Sequence, residues 1–238
     1  MRVAVSWVRD EADIIAESVT HMASQVDVVI VMDHGSTDGT RELLASMSGA
    51  LPLVVLEDAN PLFHQADAMN RLTAIAVENF RADWIVPFDA DEFWDLDFDT
   101  DADVVQYRSF DHVLVAGVDG LPWRRNTPSS RKVMFRPARD RKLVMGNHAV
   151  TSGQVESSEA IVHHFPNRSV EQFERKVRRG AATYRHGDYG AHWAGMAAQI
   201  DEEGADAVFR PFWADSSDGL IYDPVRSISR SRTGCGTR

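Results

Sequence analysis

An α/β fold built on a doubly wound, mostly parallel sheet flanked by helices is predicted by three features of the first 95 residues. Strand-like apolar runs alternate with stretches of helical periodicity, the pattern of successive β-α-β crossovers. The runs are continuously apolar rather than alternating, as in strands buried on both faces. Three of them end at or close to carboxylates, around Asp10, Asp33 and Asp89. Right-handed crossovers gather the loops after parallel strands on one edge of the sheet. Those carboxylates are therefore expected on one edge, where open α/β sheets bind their ligands.

Each element has its own signal. Val3 to Val8 reads as the first strand and ends at Arg9-Asp10-Glu11. Ile15, Val19, Met22 and Val26 follow at spacings of four, three and four, one face of a helix. Val28 to Met32 is a β-branched run that stops at the turn Asp33-His34-Gly35-Ser36-Thr37-Asp38-Gly39-Thr40. Thr40 is expected to cap a helix starting at Arg41. Leu53 to Leu56 reads as a third strand. Met69, Leu72, Thr73, Ala76, Val77 and Phe80 recur at helical spacing before a strand over Trp84 to Phe88.

The second half predicts a mixed sheet, with strands at Val104–Tyr107, Val113–Val115 and Lys132–Arg136. Ser169-Val170-Glu171-Gln172 is a capping box, with Gln172 placed to reach back to the Ser169 amide. It opens a helix with Phe173, Val177, Ala181 and Tyr184 on one face. Ser227 to Arg238 is poor in apolar residues and reads as a disordered tail.

A net charge of −11 argues against a broad nucleic-acid surface, which needs a basic footprint. The single cysteine, Cys235, excludes an internal disulfide and any multi-cysteine zinc site. The expectation is a cytoplasmic protein with neither signal peptide nor membrane span, able to act peripherally at a membrane through a partner.

The sharpest chemical signal is Trp84-Ile85-Val86-Pro87-Phe88-Asp89-Ala90-Asp91-Glu92-Phe93-Trp94, where an apolar strand meets three carboxylates within four residues. Crowded carboxylates raise one another's pKa, and burial adds to the effect. A divalent cation relieves both, and Asp oxygens are hard ligands suited to Mg2+ or Mn2+.

Together with Arg9-Asp10-Glu11-Ala12-Asp13 and the Asp33–Thr40 turn, this segment resembles the family 2-like glycosyltransferases of the GT-A fold. The three segments look like the family's opening acidic motif, its D-x-x-S-T-D-G-T turn and the D-x-D-E-F form of its metal motif. His163-His164 and Arg168 to Phe173 resemble a C-terminal segment of one subgroup. The resemblance spans residues 3 to 185 and implies a Rossmann-like, mostly parallel sheet followed by a mixed-sheet half. It implies a single domain over residues 1–213, a nucleotide-binding half of about 1–95, an acceptor half of about 96–213 and a flexible tail over 214–238.

The implied activity is transfer of a sugar from a nucleotide-diphosphate donor, a UDP-sugar, to a hydroxyl of a glycan, lipid or small-molecule acceptor, with inversion. Asp33 would take a base N–H, Asp10 or Glu11 would flank base or ribose, and Ser36 and Asp38 would complete the donor loop. Asp89 would reach the ribose or the metal, and Asp91 would bind Mn2+ or Mg2+ directly. His164 is implied as a late metal ligand, and Lys176 as a phosphate contact on the basic helix.

An inverting transfer also needs a base within reach of the acceptor hydroxyl. The acidic pair that family members place in the second half is missing from a persuasive context, which leaves Glu92 and His148 as the catalytic candidates, with Asp111 and Asp119 as further carboxylates in the second half. Two alternatives follow from that gap and from the shared sheet: a non-catalytic nucleotide-sugar-binding module, and a nucleotidyltransferase. The latter usually carries an early glycine-rich basic loop, where this chain has Arg9-Asp10-Glu11. Trp123, Trp193 and Trp213 are candidates to stack on acceptor sugars.

Overall fold

A computed structural model describes residues 1–60, 64–97, 99–183 and 188–225. Chain packing divides these into two compact units. The first comprises Met1–Phe110 and Thr127–His164, and the second Asp111–Asn126 and Phe165–Pro224.

In the first unit, β1 (Arg2–Val8), β2 (Val28–Asp33), β3 (Leu53–Glu57) and β4 (Trp84–Pro87) form a parallel sheet. Helices α1 (Ile15–Ala23), α2 (Thr40–Met47) and α3 (Gln65–Phe80) make the crossovers. β1 lies between β2 and β4, with β3 outside β2, so the strand order reverses at β1. β5 (Glu92–Trp94) lies off the main path of the sheet, while β6 (Val104–Val113) continues it beyond β4. β7 is the short strand Trp123–Arg124. β8 (Ser130–Phe135) lies antiparallel between β4 and β6, and β9 (Val155–His164) lies antiparallel to β5.

The period of two along a strand explains the layers. Val29 and Val31 face α1 and α2 in one core with Ile15, Val19, Met22 and Leu44. Ile30 and Met32 face α3 in the other, with Met69, Leu72 and Ala76. These four of the six β2 side chains are essentially inaccessible, and each such burial stabilises by about 1.5–3 kcal/mol. The face expected on α3 is narrower than its periodicity implied: Val77 is exposed, while Ala68 is buried.

Thr40 is not a cap. Gly39 occupies that position with φ of 100°, a conformation glycine adopts without steric cost, and Thr40 is the first helical residue. The strands expected over Val104–Tyr107 and Val113–Val115 differ from the structure in one respect: β6 runs unbroken to Val113, while Val115 makes an isolated bridge to Ala214.

The second unit contains α4 (Val170–Thr183), α5 (Asp188–Glu203) and α6 (Ala205–Phe209), packed around Phe173, Val177, Ile200 and Phe209. Its capping box forms with a shift. The Ser169 hydroxyl accepts the Gln172 amide at 3.1 Å, but Gln172 Oε1 takes the amide of Arg168 rather than that of Ser169. β10 (Ile221–Tyr222) pairs antiparallel with β7 within the stretch read as a tail from 214, and Asp223 accepts from Arg124 Nε at 2.6 Å. Tyr184, Cys235 and the tail over 227–238 lie outside the described residues. No helix among the described residues is long and apolar enough to cross a membrane.

Candidate active site

The parallel register brings the ends of β1, β2, β3 and β4 to one edge of the first unit. The loops after β1 and β2 are stitched together there by short polar side chains. Asp10, held at φ of 56°, accepts the Thr37 amide at 2.8 Å, while the Asp10 amide donates to Ser36 Oγ at 2.9 Å. Asp38 accepts the amides of Ala12 and Thr40 at 3.0 Å each and the Thr40 hydroxyl at 2.6 Å. Thr40 Oγ1 in turn accepts the Glu11 amide at 2.8 Å. Burial would raise Asp38, but these hydrogen bonds outweigh it and hold the carboxyl below its ordinary value. Ser36 and Asp38, expected to bind donor, thus spend polar atoms on shaping the loop.

Asp33 is different. It is 1% exposed, and its Oδ2 accepts the Ser36 amide at 3.1 Å. Its Oδ1 is buried and receives no hydrogen bond from the described residues. A buried acceptor left unmade costs about 1–3 kcal/mol, more when charged, and such groups call for a partner.

The second loop carries the acidic motif. Asp89 accepts Lys132 Nζ on Oδ2 at 2.7 Å and receives Asn147 Nδ2 at 3.0 Å and Gln65 Nε2 at 3.3 Å on Oδ1. Glu92 is fully buried. It pairs with Lys132 at 2.7 Å and accepts the Asp89 amide and Trp94 Nε1, both at 3.1 Å. Lys132, only 4% exposed, also donates to the Gly146 carbonyl at 3.1 Å. Burial would lower this lysine, but Asp89 and Glu92 more than reverse that and raise it above its ordinary value. Burial pushes Glu92 up against the pull of Lys132.

The crowded carboxylates therefore already share a cation, an ammonium contributed by β8. These contacts bear on two expectations. Glu92, a candidate base, has no exposed atom and is held in the loop by Lys132, Trp94 and the Asp89 amide. Asp89, expected to reach the ribose or the metal through water, accepts protein donors on both oxygens.

Asp91 and His164 remain together. β5 and β9 pair so that Glu92 faces His164 across the ladder, and His164 Nε2 lies 3.6 Å from Asp91 Oδ1. That is too long for a hydrogen bond and near the span of two atoms sharing one ion with bonds of about 2.1 Å. His163, the other member of the pair, faces Asp95 at 3.6 Å.

His148 is exposed at the end of the turn Met145–Asn147, in which Gly146 and Asn147 both have positive φ. The turn is tied to the acidic loop by the Lys132 and Asn147 bonds, and Gln65 Oε1 accepts the Gly146 amide at 3.0 Å. His148 Nδ1 faces the Arg131 carbonyl at 2.7 Å. A carbonyl only accepts, so a neutral His148 donates from Nδ1 and carries its lone pair on Nε2.

Lys176 stands in the second unit, where its Nζ donates to the Pro166 carbonyl at 3.1 Å. Of the tryptophans, Trp193 is half-buried against the core of that unit, Trp123 meets Tyr222 edge-on and Trp213 is 37% exposed.

Sequence reasoning missed Lys132, Gln65 and Asn147. One signal was available: a lysine opening the otherwise apolar run Val133-Met134-Phe135 inside a strand.

No curated protein matches the chain significantly. Among solved structures, S. aureus TarS in complex with UDP-GlcNAc is similar at 14% identity and a TM-score of 0.47, over 90% of this chain and 74% of that one. HddC from Yersinia pseudotuberculosis is similar at 11% identity and a TM-score of 0.43, over 74% of this chain and 97% of that one. Glucosyl-3-phosphoglycerate synthase from Mycobacterium tuberculosis is similar at 18% identity and a TM-score of 0.33, over 46% and 44% respectively. The sequence profile described as glycosyl transferase family 2 matches residues 5–142, more than half of the chain and all of the loops just described up to β8. On that match, the chain belongs to glycosyl transferase family 2 and is a glycosyltransferase.

Proposed function

We propose that the chain transfers a sugar from a nucleotide-diphosphate donor, a UDP-sugar in the first instance, to an acceptor hydroxyl with inversion, and that it depends on a divalent metal. The observation that carries this reading is Asp33, a buried carboxylate at the end of β2 with one oxygen that the described residues leave without a donor. A nucleobase N–H is the partner it suits, on the strand edge where such sheets bind nucleotides. Asp10 and Glu11 flank that position from the β1 loop, which the Thr37 and Thr40 bonds hold in place.

Asp91 and His164 fit a divalent cation by donor chemistry and spacing, with one carboxylate oxygen and one imidazole nitrogen. When bound there, Mn2+ or Mg2+ supplies positive charge for the nucleoside diphosphate that leaves. Lys132 keeps Asp89 and Glu92 in fixed positions beside Asp91. His148 is proposed as the group that accepts the proton of the attacking hydroxyl, since its Nδ1 contact places the lone pair of the neutral ring on Nε2.

The burial of Glu92 favours one second reading, a module that binds nucleotide-sugar without transfer. A thermal-shift panel of UDP, GDP, CDP and ADP, each with Mn2+ or with EDTA, tests the binding site. One nucleotide should stabilise the protein, by about 2.7 kcal/mol at a hundred times its Kd, and the effect should vanish with EDTA. No shift with any nucleotide would remove the donor-site reading. A shift without release of nucleoside diphosphate from the sugar donor, with or without acceptors, would leave the binding module. Release of pyrophosphate from a nucleoside triphosphate would point to nucleotidyl transfer.

A further inference from the structure

A second group of metal-ligating side chains stands apart from the acidic loop. His34, Asp58 and His64 each offer a ligand atom, and these atoms lie within 4.8 Å of one another. They come from three places: His34 follows the end of β2, Asp58 follows the end of β3, and His64 immediately precedes α3. We propose that they form a binding site for a transition-metal dication, best satisfied by Zn2+, distinct from Asp91 and His164.

The geometry around Asp58 resembles that of a ligand already oriented. Asp58 is 5% exposed, and its two oxygens face different partners. Oδ1 accepts the Asn60 amide at 3.2 Å and Arg71 at 3.3 Å. Oδ2 lies 3.0 Å from His64 Nε2 and accepts Trp7 Nε1 at 2.8 Å. An oxygen and a nitrogen bound to one zinc at about 2.0–2.1 Å stand near this separation. Trp7 then acts as the outer donor that fixes a ligating carboxylate.

His34 is 4% exposed and its Nε2 faces the Asn60 carbonyl at 2.5 Å. A neutral ring donates there and holds its lone pair on Nδ1. Metal-ligating histidines are commonly held by a carbonyl in this way. The Trp7 ring lies over His34 at 4.3 Å and meets His64 edge-on at 5.2 Å, which limits how far either imidazole can turn.

Charge decides which metal. Arg71 already sits on Asp58, so a weakly bound hard cation gains little, and a set of two imidazoles and one carboxylate oxygen selects a nitrogen-preferring ion. Three protein ligands leave a fourth position for water or a ligand group.

The test is zinc titration of the whole chain, stripped with EDTA and dialysed, in competition with a chromophoric chelator. Asp91→Ala with His164→Ala should leave one zinc equivalent bound at micromolar metal. His34→Ala and His64→Ala should each abolish that equivalent while circular dichroism stays native. Trp7→Phe, which keeps a ring but removes the donor, should weaken it by about tenfold. Co2+ in place of zinc should give the visible bands of a low-coordinate site in the wild type. Should either histidine variant misfold, His64→Gln and the cobalt spectrum of the wild type still decide the matter. Zinc that disappears with Asp91 and His164, or that survives both histidine variants, would overturn the proposal. So would the absence of a micromolar equivalent in the wild type.

Discussion

The Asp33–Thr40 loop and the Asp89–Glu92 loop follow β2 and β4, the two strands that flank β1 on one sheet edge, and carry the same kind of charge, yet they neutralise it in opposite ways. In the first, Asp10 and Asp38 are held by amides and hydroxyls within the two adjoining loops. In the second, Asp89 and Glu92 share one buried ammonium that arrives from β8. The first arrangement leaves Asp33 with an oxygen to spare, whereas the second spends everything on Asp89 and Glu92 and leaves Asp91 beside His164. Dipoles shape the Asp33 side of the edge, and a full charge shapes the Asp89 side.

The largest consequence falls on Lys132. Replacing it by Met leaves two carboxylates, one fully buried, without their cation. Breaking a buried pair in this way costs about 3–5 kcal/mol, a large part of a typical domain's stability. Urea denaturation of Lys132→Met should show that loss, and adding Glu92→Gln should recover much of it because the buried charge is gone. A cost under about 1 kcal/mol would mean that the carboxylates do not depend on the lysine.

Asp33 provides the contrasting case. In Asp33→Asn the side chain keeps its size and can still accept the Ser36 amide, but its NH2 now points where a base N–H would arrive. Losing a hydrogen bond to a charged group is worth about 1.5–3 kcal/mol, so nucleoside diphosphate affinity should fall by about 10- to 100-fold in calorimetry. Stability should hold or rise, because a buried anion with an unmade bond has been removed. Unchanged affinity would detach Asp33 from the nucleotide.

The same contrast explains what could be read from the chain alone. The parallel sheet was legible because each strand is a contiguous apolar run, and the first three helices because one face repeats every three or four residues. Asp33, Asp89 and Asp91 were legible as a set because strand ends in this topology share an edge. Their partners were not. Lys132 lies 43 positions from Asp89 and Asn147 lies 58 away, and nothing local links them. The inference that crowded carboxylates need a cation was physically sound, but it could not tell a bound metal from a lysine on an antiparallel strand. Thr40 failed as a cap for a related reason. Its hydroxyl serves Asp38 and the Glu11 amide, and the latter comes from another loop.

The smallest effect is expected at Asp38, and its pH dependence separates the two loops. Its folded pKa is depressed, so the folded state binds fewer protons than the unfolded chain as pH falls through the acid range. Its stabilisation is therefore complete above the ordinary carboxylate value near 4 and is lost as pH drops through the folded value. Asp38→Asn should cost below about 1 kcal/mol at neutral pH, since this partly exposed group is screened by solvent. The gap between wild type and variant should close on acidification, in denaturation curves taken from about pH 7 down to about pH 3. Glu92 behaves with the opposite sign. Burial raises it, so protonation relieves rather than removes stability at that carboxylate, and Glu92→Gln should not flatten the acid limb as Asp38→Asn does. If the two substitutions gave the same acid profile, the division between a loop held by dipoles and a loop held by a lysine would be wrong.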